Sequence, residues 1–341
     1  MPRKATVRSP SNIAFIKYWG AKNLRKAIPA NPSLSMTLRE CFSRSTVEHM
    51  ESGTEHEILW RGREGILESA PPAFAERVRR HLDLLCRETD CGGSFRIATE
   101  NSFPAAAGMA SSASGFSALT LGVLAALGQD ASPARRSVLA RLSGSGSASR
   151  SVMGGYVEWP AQAGAPVVDQ PGTEFHAVQV ADAEFWDLRN VIAVVETGAK
   201  ETSSLDGHRR ARTSPYWRTR QRRLPERLAA VREAIQARDF ERLGPLIEKE
   251  AIDLHCVAMT SDPAIFYWQP ATLTVLRTVR ELRADGFPAW STLDAGANVH
   301  VICEPESEEA VAERLGALAE VEQVIRDGVG PGPVIEENHL L

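Results

Sequence analysis

Residues 101–120 read NSFPAAAGMASSASGFSALT, in which a proline turn and a run of small residues lead to serines at 111, 112 and 114. The apolar residues that follow, as far as Leu127, recur with the spacing of an α-helix. A loop of small residues therefore opens a helix, whose first N–H groups and dipole favour a bound anion. The pattern predicts a phosphate-binding loop, although it lacks the lysine of a GxxxxGK[ST] motif. A serine-capped helix start with small residues for close packing would give a similar sequence.

The composition of the chain is that of a globular protein. Its 341 residues are enough for one large domain or two ordinary ones, and 43% of them are hydrophobic and 24% charged. A net charge of −4 offers no general attraction for nucleic acid. Five scattered cysteines suit reduced thiols, and no apolar run approaches the roughly 18 residues of a membrane span. We therefore expect a cytoplasmic protein with no signal peptide and no nucleic-acid or membrane partner.

A second loop of small residues follows the first, with the sequence SGSGSASRS at residues 143–151. It contains Arg150, whose planar guanidinium suits a carboxylate or a phosphate. A flexible linker could have the same composition. This stretch, however, runs straight into the strand-like residues 155–159, which favours a second anion site over a linker.

The strand predicted at residues 5–16 ends in KYWGAKN, where Lys17 and Lys22 stand beside Tyr18 and Trp19. Cations beside aromatic rings at the end of a strand could form the wall of a substrate pocket, and a solvated turn with a half-buried tryptophan is the alternative. Near the other end of the chain, residues 292–301 read TLDAGANVHV, an acid-and-glycine turn followed by an apolar strand.

Local patterns predict several further elements. Residues 46–60 are typical of a hairpin, and residues 72–91, 224–237, 240–260 and 270–285 are typical of amphipathic helices. The arginine-rich residues 200–223 are typical of a solvated helix face, part of which could cover an anionic substrate. We expect the Gly/Pro-rich tail from residue 328 to be irregular.

Four stretches together resemble diphosphomevalonate decarboxylase and its relatives in the GHMP kinase superfamily: residues 12–20, 103–115, 143–159 and 292–301. The resemblance implies an α/β (α+β two-lobed) GHMP kinase fold. Its ribosomal-protein-like N-terminal half would be residues 1–183, and its ferredoxin-like C-terminal half residues 184–341. The active site would lie in the cleft between them. The family uses ATP and Mg²⁺ to phosphorylate a tertiary 3-hydroxyl group, and carbon dioxide and the new phosphate then leave. The resemblance also implies a homodimer.

The resemblance assigns roles to individual residues. Asp294 would orient or deprotonate the 3-hydroxyl, Lys17 would hold Asp294 ionised, and Arg150 would grip the substrate carboxylate. The remaining substrate contacts would come from Asn12, Tyr18, Trp19, Lys22, Ser145, Gly146, Ser147, Ser204 and His208. The ATP-binding residues would be Pro104, Ala107, Gly108, Met109, Ala110, Ser111 and Ser112. Either Ser111 or Ser112 could also bind the magnesium ion.

Two departures from the family pattern bear on the substrate. The family usually reads KYWGK, but the fifth position here is Ala21, and a loop that usually ends in Gly-Met ends here in Gly207-His208. With one lysine lost and Asp206 added, we expect mevalonate 5-phosphate as the substrate and isopentenyl phosphate as the product. The alternative is mevalonate 5-diphosphate, with Lys22 and neighbouring arginines supplying the missing charge.

Two other classes of function remain open from the residues. One is a GHMP-type mevalonate 3-kinase that stops before decarboxylation. The other is a non-catalytic ligand- or RNA-binding protein on the same fold, against which the net charge of −4 argues. The Asp294 and Arg150 matches favour the decarboxylase.

Overall fold

The computed structural model describes residues 4–24, 27–62, 65–104, 111–160, 174–198 and 201–341. Within these ranges the strands are β1 (Lys4–Ile16), β2 (Ala21–Asn23), β3 (Ile28–Pro29), β4 (Ser33–Met50), β5 (Glu57–Arg61), β6 (Leu67–Ser69), β7 (Ser94–Asn101), β8 (Tyr156–Trp159), β9 (Val178–Ala181), β10 (Arg189–Val194), β11 (Ala289–Thr292), β12 (Val299–Cys303), β13 (Gln323–Gly328) and β14 (Val334–Glu336). The helices are α1 (Pro72–Thr89), α2 (Ser111–Ala126), α3 (Pro133–Arg141), α4 (Ser204–Arg210), α5 (Trp217–Ala237), α6 (Phe240–Met259), α7 (Pro270–Ala284) and α8 (Glu308–Gly316). Short 3-10 turns lie at Gly146–Ser149, Ala211–Thr213 and Pro305–Ser307.

The larger sheet is built around β4, which is long enough to pair with different strands at its two ends. Along its length β4 pairs antiparallel with β1, while its first residues also pair with β8 and its last residues with β7. Helices α1, α2 and α3 bury their apolar residues against this sheet. Gly122 of α2 lies against Val47, where an added Cβ would come within 2.7 Å of the valine side chain. A glycine at this point lets the helix approach the strand closely.

The hairpin predicted at residues 46–60 is wrong. Residues 46–50 are the end of β4, and β7 lies between β4 and β5 in the sheet. Strand β5 therefore pairs with β7, in parallel, and not with β4, which precedes it in sequence. Turn residues show where a chain reverses, but they do not specify which strand it will pair with.

The second lobe contains a four-stranded antiparallel sheet in the order β11-β12-β10-β13. Helices α7 and α8 bury apolar residues against this sheet. Helices α5 and α6 pack against β1 of the first lobe, so that Phe15, Met36, Ile192, Leu228 and Ile247 belong to one continuous core. This shared core confirms the two-lobed α/β prediction, and it places the end of β1 at the junction of the lobes.

The irregular tail predicted from residue 328 is also wrong in part. After a Gly-Pro-Gly-Pro turn at residues 330–333, strand β14 pairs antiparallel with β1, with Thr6 opposite Glu336. The apolar residues Val334 and Ile335 are too few for the sequence to reveal an edge strand of this length. The C-terminus thus returns to the first sheet, and the division at residues 183 and 184 remains a prediction.

Two findings bear on the other expectations from composition. Of the helices in the described ranges, none is long and apolar enough to cross a membrane. All five cysteines have free thiols, and Cys41 and Cys303 are buried.

Candidate active site

A cleft of about 700 Å³ lies between the two lobes and collects residues from both. The first lobe contributes the end of β1, one face of α1, the start of α2 and residues 142–150. The second lobe contributes α4, part of α6 and the turn after β11. Among the residues predicted to act, those lining the cleft are Lys17, Tyr18, Trp19, Ser111, Ser112, Ser145, Gly146, Ser147, Arg150, Ser204, His208 and Asp294.

A lysine and an aspartate meet at the floor of this cleft. Nζ of Lys17 lies 2.8 Å from Oδ1 of Asp294. The lysine side chain is only 1% exposed, whereas the aspartate is 26% exposed and faces the cleft. Lys17 directly follows β1, and Asp294 follows β11 in a turn closed by a hydrogen bond from Gly296 N–H to the carbonyl of Asp294. Each residue is therefore presented by the end of a strand.

Burial and charge act on both members of this pair. Burial lowers the pKa of Lys17 below its ordinary value of 10.5, and the attraction of Asp294 opposes that effect. Burial alone would raise the pKa of Asp294, but the nearby Lys17 outweighs it, and the pKa lies below the ordinary 3.8. At neutral pH the aspartate is thus an ionised hydrogen-bond acceptor, with one side open to a ligand.

Arg150 is a buried cation whose partners are all uncharged. Its guanidinium donates to Ser35 at 2.9 Å, to Ser33 at 2.5 Å and to Asn12 at 3.0 Å. Burial lowers the pKa of Arg150 to about 10, so the group remains charged at neutral pH. No hydrogen-bond partner of this guanidinium within the described residues carries a charge, and Arg150 also lines the cleft. A buried positive charge without a carboxylate partner is a strong attractor for an anionic ligand.

The second loop rich in small residues lies beside the start of α2. The hydroxyl oxygens of Ser112 and Ser145 lie 3.5 Å apart, and both residues line the cleft. In the second loop, Gly146 lies against the Trp159 and Tyr18 rings, where an added Cβ would come within 2.7 Å of either ring. This loop can therefore lie close to the aromatic wall only with glycine at position 146.

His208 completes the wall of the cleft opposite the serine loops. Its ring lies 4.2 Å from the ring of Tyr18 and 4.9 Å from that of Trp19, measured between centroids. Gly20 N–H donates to Nδ1 of His208 at 2.8 Å, which leaves the ring proton on Nε2. Burial and the charge of Arg220 lower the pKa of His208 to about 3. The imidazole is therefore neutral in the physiological range and can donate one hydrogen bond.

Comparison with known proteins identifies the family. Residues 9–166 match the diphosphomevalonate decarboxylase-like N-terminal domain, and residues 190–334 match the mevalonate 5-diphosphate decarboxylase C-terminal domain. The diphosphomevalonate decarboxylase of Ganoderma lucidum is 34% identical over 91% of this chain and 80% of its own length. This chain belongs to the diphosphomevalonate decarboxylase family. The resemblance carried by the four sequence stretches is confirmed, and the protein is an enzyme of the decarboxylase class.

Solved structures of the family agree with the whole fold. The mevalonate diphosphate decarboxylase of Staphylococcus aureus superposes with a TM-score of 0.89 at 30% identity, covering 98% of both chains. The protein named MDDEF, solved in complex with MVAPP, AMPPCP and magnesium, superposes with a TM-score of 0.87 at 33% identity. That match covers 98% of this chain and 99% of MDDEF.

Some of the residues predicted from the family resemblance lie elsewhere. Asn12 is buried behind Arg150 and is absent from the lining of the cleft, so its contact with ligand would be indirect. Lys22 is exposed on β2, and it does not line the cleft either. Pro104 precedes the loop and is partly buried. Ala107, Gly108, Met109 and Ala110 fall outside the described residues.

One face of α1 lines the cleft, although the sequence analysis did not predict it. Arg77, Arg80, His81 and Leu84 belong to that face. Their spacing of three and four residues puts them on one side of a helix, which is the signal that could have indicated them. This basic helical face lines the same cleft as Ser111 and Ser112, so it offers positive charge to an anionic ligand there.

Proposed function

We propose that this protein catalyses the ATP-dependent decarboxylation of mevalonate 5-diphosphate, forming isopentenyl diphosphate, ADP, phosphate and carbon dioxide. The observation that carries the proposal is the placement of the Lys17–Asp294 pair and the buried cation of Arg150 in one cleft. The names of the related enzymes, which specify the diphosphate, support this substrate over the monophosphate expected from the sequence.

The first step of the proposed reaction is phosphoryl transfer. The 3-hydroxyl of the substrate donates its proton to the Asp294 carboxylate as its oxygen attacks the γ-phosphorus of ATP, and the bond to the β–γ bridging oxygen breaks to release ADP. A tertiary alcohol is a hindered nucleophile, so holding it in line matters as much as removing its proton. Lys17, bonded to the same carboxylate, would stabilise negative charge on the transferring group.

The second step removes the new phosphate together with the carboxylate. The bond from C3 to the phosphate oxygen breaks, and the electron pair of the bond to the carboxylate carbon forms the double bond as carbon dioxide leaves. Arg150 would hold the carboxylate in position for this step, because its charge lacks a protein counterion among its hydrogen-bond partners. The neutral serine and asparagine partners fix the direction of its guanidinium without neutralising it.

The described side chains suit a magnesium ion that arrives with the nucleotide. Mg²⁺ prefers oxygen ligands and is usually held by one or two carboxylates plus substrate phosphates and waters. Ser111 and Ser112 supply hydroxyl oxygens in this cleft, and the phosphates of the nucleotide would supply further oxygens. The described residues contain no group of three His, Cys, Asp or Glu side chains that could hold a metal by themselves. When bound, the ion would neutralise charge on the phosphates, and Ser111 or Ser112 would hold it.

A second candidate substrate, mevalonate 5-phosphate, is favoured by one group of observations. Ala21 stands where the family usually has lysine, and Lys22 does not line the cleft. The nearby Arg209 is paired with Asp206 at 2.9 Å, so its charge is partly offset. His208, a polar group of this wall, is neutral, which suits a less highly charged phosphate.

One experiment tests the proposal and separates the two substrates. ADP and carbon dioxide release are measured with Mg²⁺-ATP and, in parallel, mevalonate, its 5-phosphate and its 5-diphosphate. A kcat/KM at least tenfold higher for the diphosphate, about 1.4 kcal/mol in transition-state free energy, would support the main proposal. The same margin for the monophosphate would favour the second candidate. Release of ADP without carbon dioxide would indicate a mevalonate 3-kinase. If no substrate is turned over, all three proposed activities, the two decarboxylases and the kinase, are overturned.

A further inference from the structure

We propose that Glu250 and Arg220 are positioning residues, which clamp the backbone of Lys17 and thereby hold its ammonium group against Asp294. The inference rests on the proposed function in so far as it concerns catalysis. Neither residue lines the cleft, so both would act through Lys17 and not on the substrate.

The clamp is built where the backbone leaves the sheet. The last pairing of β1 with β4 joins Ile16 to Leu34, so the peptide groups of Lys17 lack ladder partners. Glu250 accepts a hydrogen bond from Lys17 N–H at 3.3 Å. Arg220 and Asn31 donate to the Lys17 carbonyl at 2.8 Å and 2.9 Å. Side chains therefore supply the hydrogen-bond partners of both the N–H and the carbonyl group of Lys17.

The charges of the clamp are fully buried. Glu250 is 0% exposed and pairs with both Arg220 and Arg227, and Arg227 also pairs with Asp253 at 2.7 Å. A buried ion-pair cluster is a poor source of stability, because the cost of removing the charges from water offsets their attraction. The geometric effect of the cluster is more informative. Nη2 of Arg220 donates to both Glu250 and the Lys17 carbonyl, and so fixes the separation of these two groups.

Helix α6 contacts both members of the catalytic pair. Glu250 reaches the backbone of Lys17, and His255 lies five positions later, with Nε2 located 3.1 Å from the carbonyl oxygen of Asp294. Loss of the Glu250 contact alone would free the Lys17 backbone while the His255 contact with Asp294 remained, and the distance between the two residues could then change. Catalytic rates are sensitive to such displacements, because a misplacement of about 1 Å can cost about 100-fold.

The charge of Glu250 also acts on Lys17. Burial lowers the pKa of the lysine, while Asp294 and Glu250 raise it and Arg150 lowers it further. Removing the Glu250 charge should therefore lower the pKa of Lys17. The ionisable groups that act on the Lys17 ammonium are Arg150, Glu250, Asp294 and His300. Arg220 binds the Lys17 carbonyl, His208 accepts from Gly20 N–H, and His255 lies against the Asp294 carbonyl.

The test compares Glu250→Gln with Asp253→Asn, which removes a carboxylate from the same cluster without touching Lys17. For Glu250→Gln we expect a kcat lowered about tenfold or more with little change in KM, and for Asp253→Asn nearly normal values. The alkaline limb of the kcat/KM profile should move to lower pH in Glu250→Gln alone. Arg220→Lys keeps the charge, but its shorter side chain cannot place a nitrogen where Nη2 of Arg220 lies, so it should lower kcat without that shift.

A second measurement does not depend on activity. The chain has six lysines, so labelling their ε-carbons with ¹³C gives a simple NMR spectrum, in which the signal missing from Lys17→Met identifies Lys17. In folded Glu250→Gln, the Lys17 signal should titrate at a lower pH than in the wild-type protein, because the attraction of the Glu250 charge is gone. An unchanged titration, together with a kcat no lower than that of Asp253→Asn, would overturn the proposal even if the substrate assignment holds. Inactivity of the wild-type enzyme would overturn the proposed function but leave the NMR result decisive.

Discussion

Nζ of Lys17 and Oδ1 of Asp294 lie 2.8 Å apart, although the two residues are separated by 277 positions in sequence. Lys17 follows β1 of the first lobe, and Asp294 follows β11 of the second lobe. The pair can therefore form only when the shared core has brought the two lobes together. Assembly of the pair therefore depends on the packing of one lobe against the other.

Replacing either member of this pair should abolish most of the turnover without unfolding the protein. For Asp294→Asn and for Lys17→Met we expect at least about 100-fold lower kcat, the usual cost of losing a positioned acid–base group. Carbon dioxide release measures the loss, and circular dichroism with urea unfolding checks the fold. Near-normal turnover in one of the variants would remove that residue from the mechanism.

The protonation states of the same pair set the pH range of activity. The pKa of Lys17 is lowered from 10.5, so its charge is lost as the pH rises through that lowered value. The pKa of Asp294 is below 3.8, so the carboxylate remains ionised down to that range. We therefore expect kcat/KM to decline on the alkaline side at a pH below 10.5, and no loss from Asp294 protonation near pH 5.

The pH–rate profile needs a control for general effects of alkaline pH. Lys249→Met removes an exposed lysine from α6 and should leave the alkaline decline in place. A decline at or above pH 10.5 in the wild-type enzyme would contradict the assignment of the limb to Lys17.

The chemistry of the site was more predictable from the sequence than the pairing of the strands. Lys17, Arg150 and Asp294 stand in short motifs that resemble those of the family, and the structure places all three in one cleft. The hairpin at residues 46–60 was predicted from a local turn, but β7 is inserted between β4 and β5 from a distant part of the chain. Local patterns contain no information about such an insertion.

The clamp on Lys17 was missed for a related physical reason. Arg220 and Arg227 lie on α5, within or just after an arginine-rich stretch interpreted as a solvated face, and Glu250 lies on α6. All three are buried, and their charges balance because Asp253 also pairs with Arg227. Charged residues are usually exposed, so a sequence pattern rich in them predicts a solvated surface. Buried ion-pair networks are therefore not predicted from such patterns.

His208 should contribute a hydrogen bond to the 5-phosphate end of the substrate. In His208→Phe the aromatic contacts with Tyr18 and Trp19 can persist, but the Nε2–H donor is lost. A hydrogen bond to a charged group contributes about 1.5–3 kcal/mol, so kcat/KM should fall by about tenfold to 100-fold. Steady-state kinetics with the preferred substrate measures this fall.

A companion comparison tests whether His208 acts on the 5-phosphate in particular. The loss should be much smaller with unphosphorylated mevalonate, because that substrate has no group to accept the bond. Equal losses with both substrates would mean that the substitution disturbs the wall of the cleft as a whole.

Buried neutral histidines should make the protein less stable in acid. His81 on α1 is 1% exposed, its Nε2 lies 2.8 Å from the hydroxyl of Thr120, and burial lowers its pKa to about 3. Below its ordinary pKa of about 6.5, the unfolded chain binds a proton that the folded chain cannot accept until about pH 3. Its contribution to stability is therefore fully present above pH 6.5 and is lost as the pH falls, at about 1.4 kcal/mol per pH unit.

Urea unfolding of the wild-type protein and of His81→Gln at pH 7.5 and pH 5.5 measures this effect. The free energy of unfolding should fall less in the variant, by about 1.4 kcal/mol, because one proton-binding site of the unfolded chain is gone. His300, which is also buried and has its pKa lowered to about 4 by burial, should leave part of the acid sensitivity in place. Equal losses in the two proteins would mean that His81 accepts its proton in the folded state, and that its surroundings on α1 open more easily than its burial indicates.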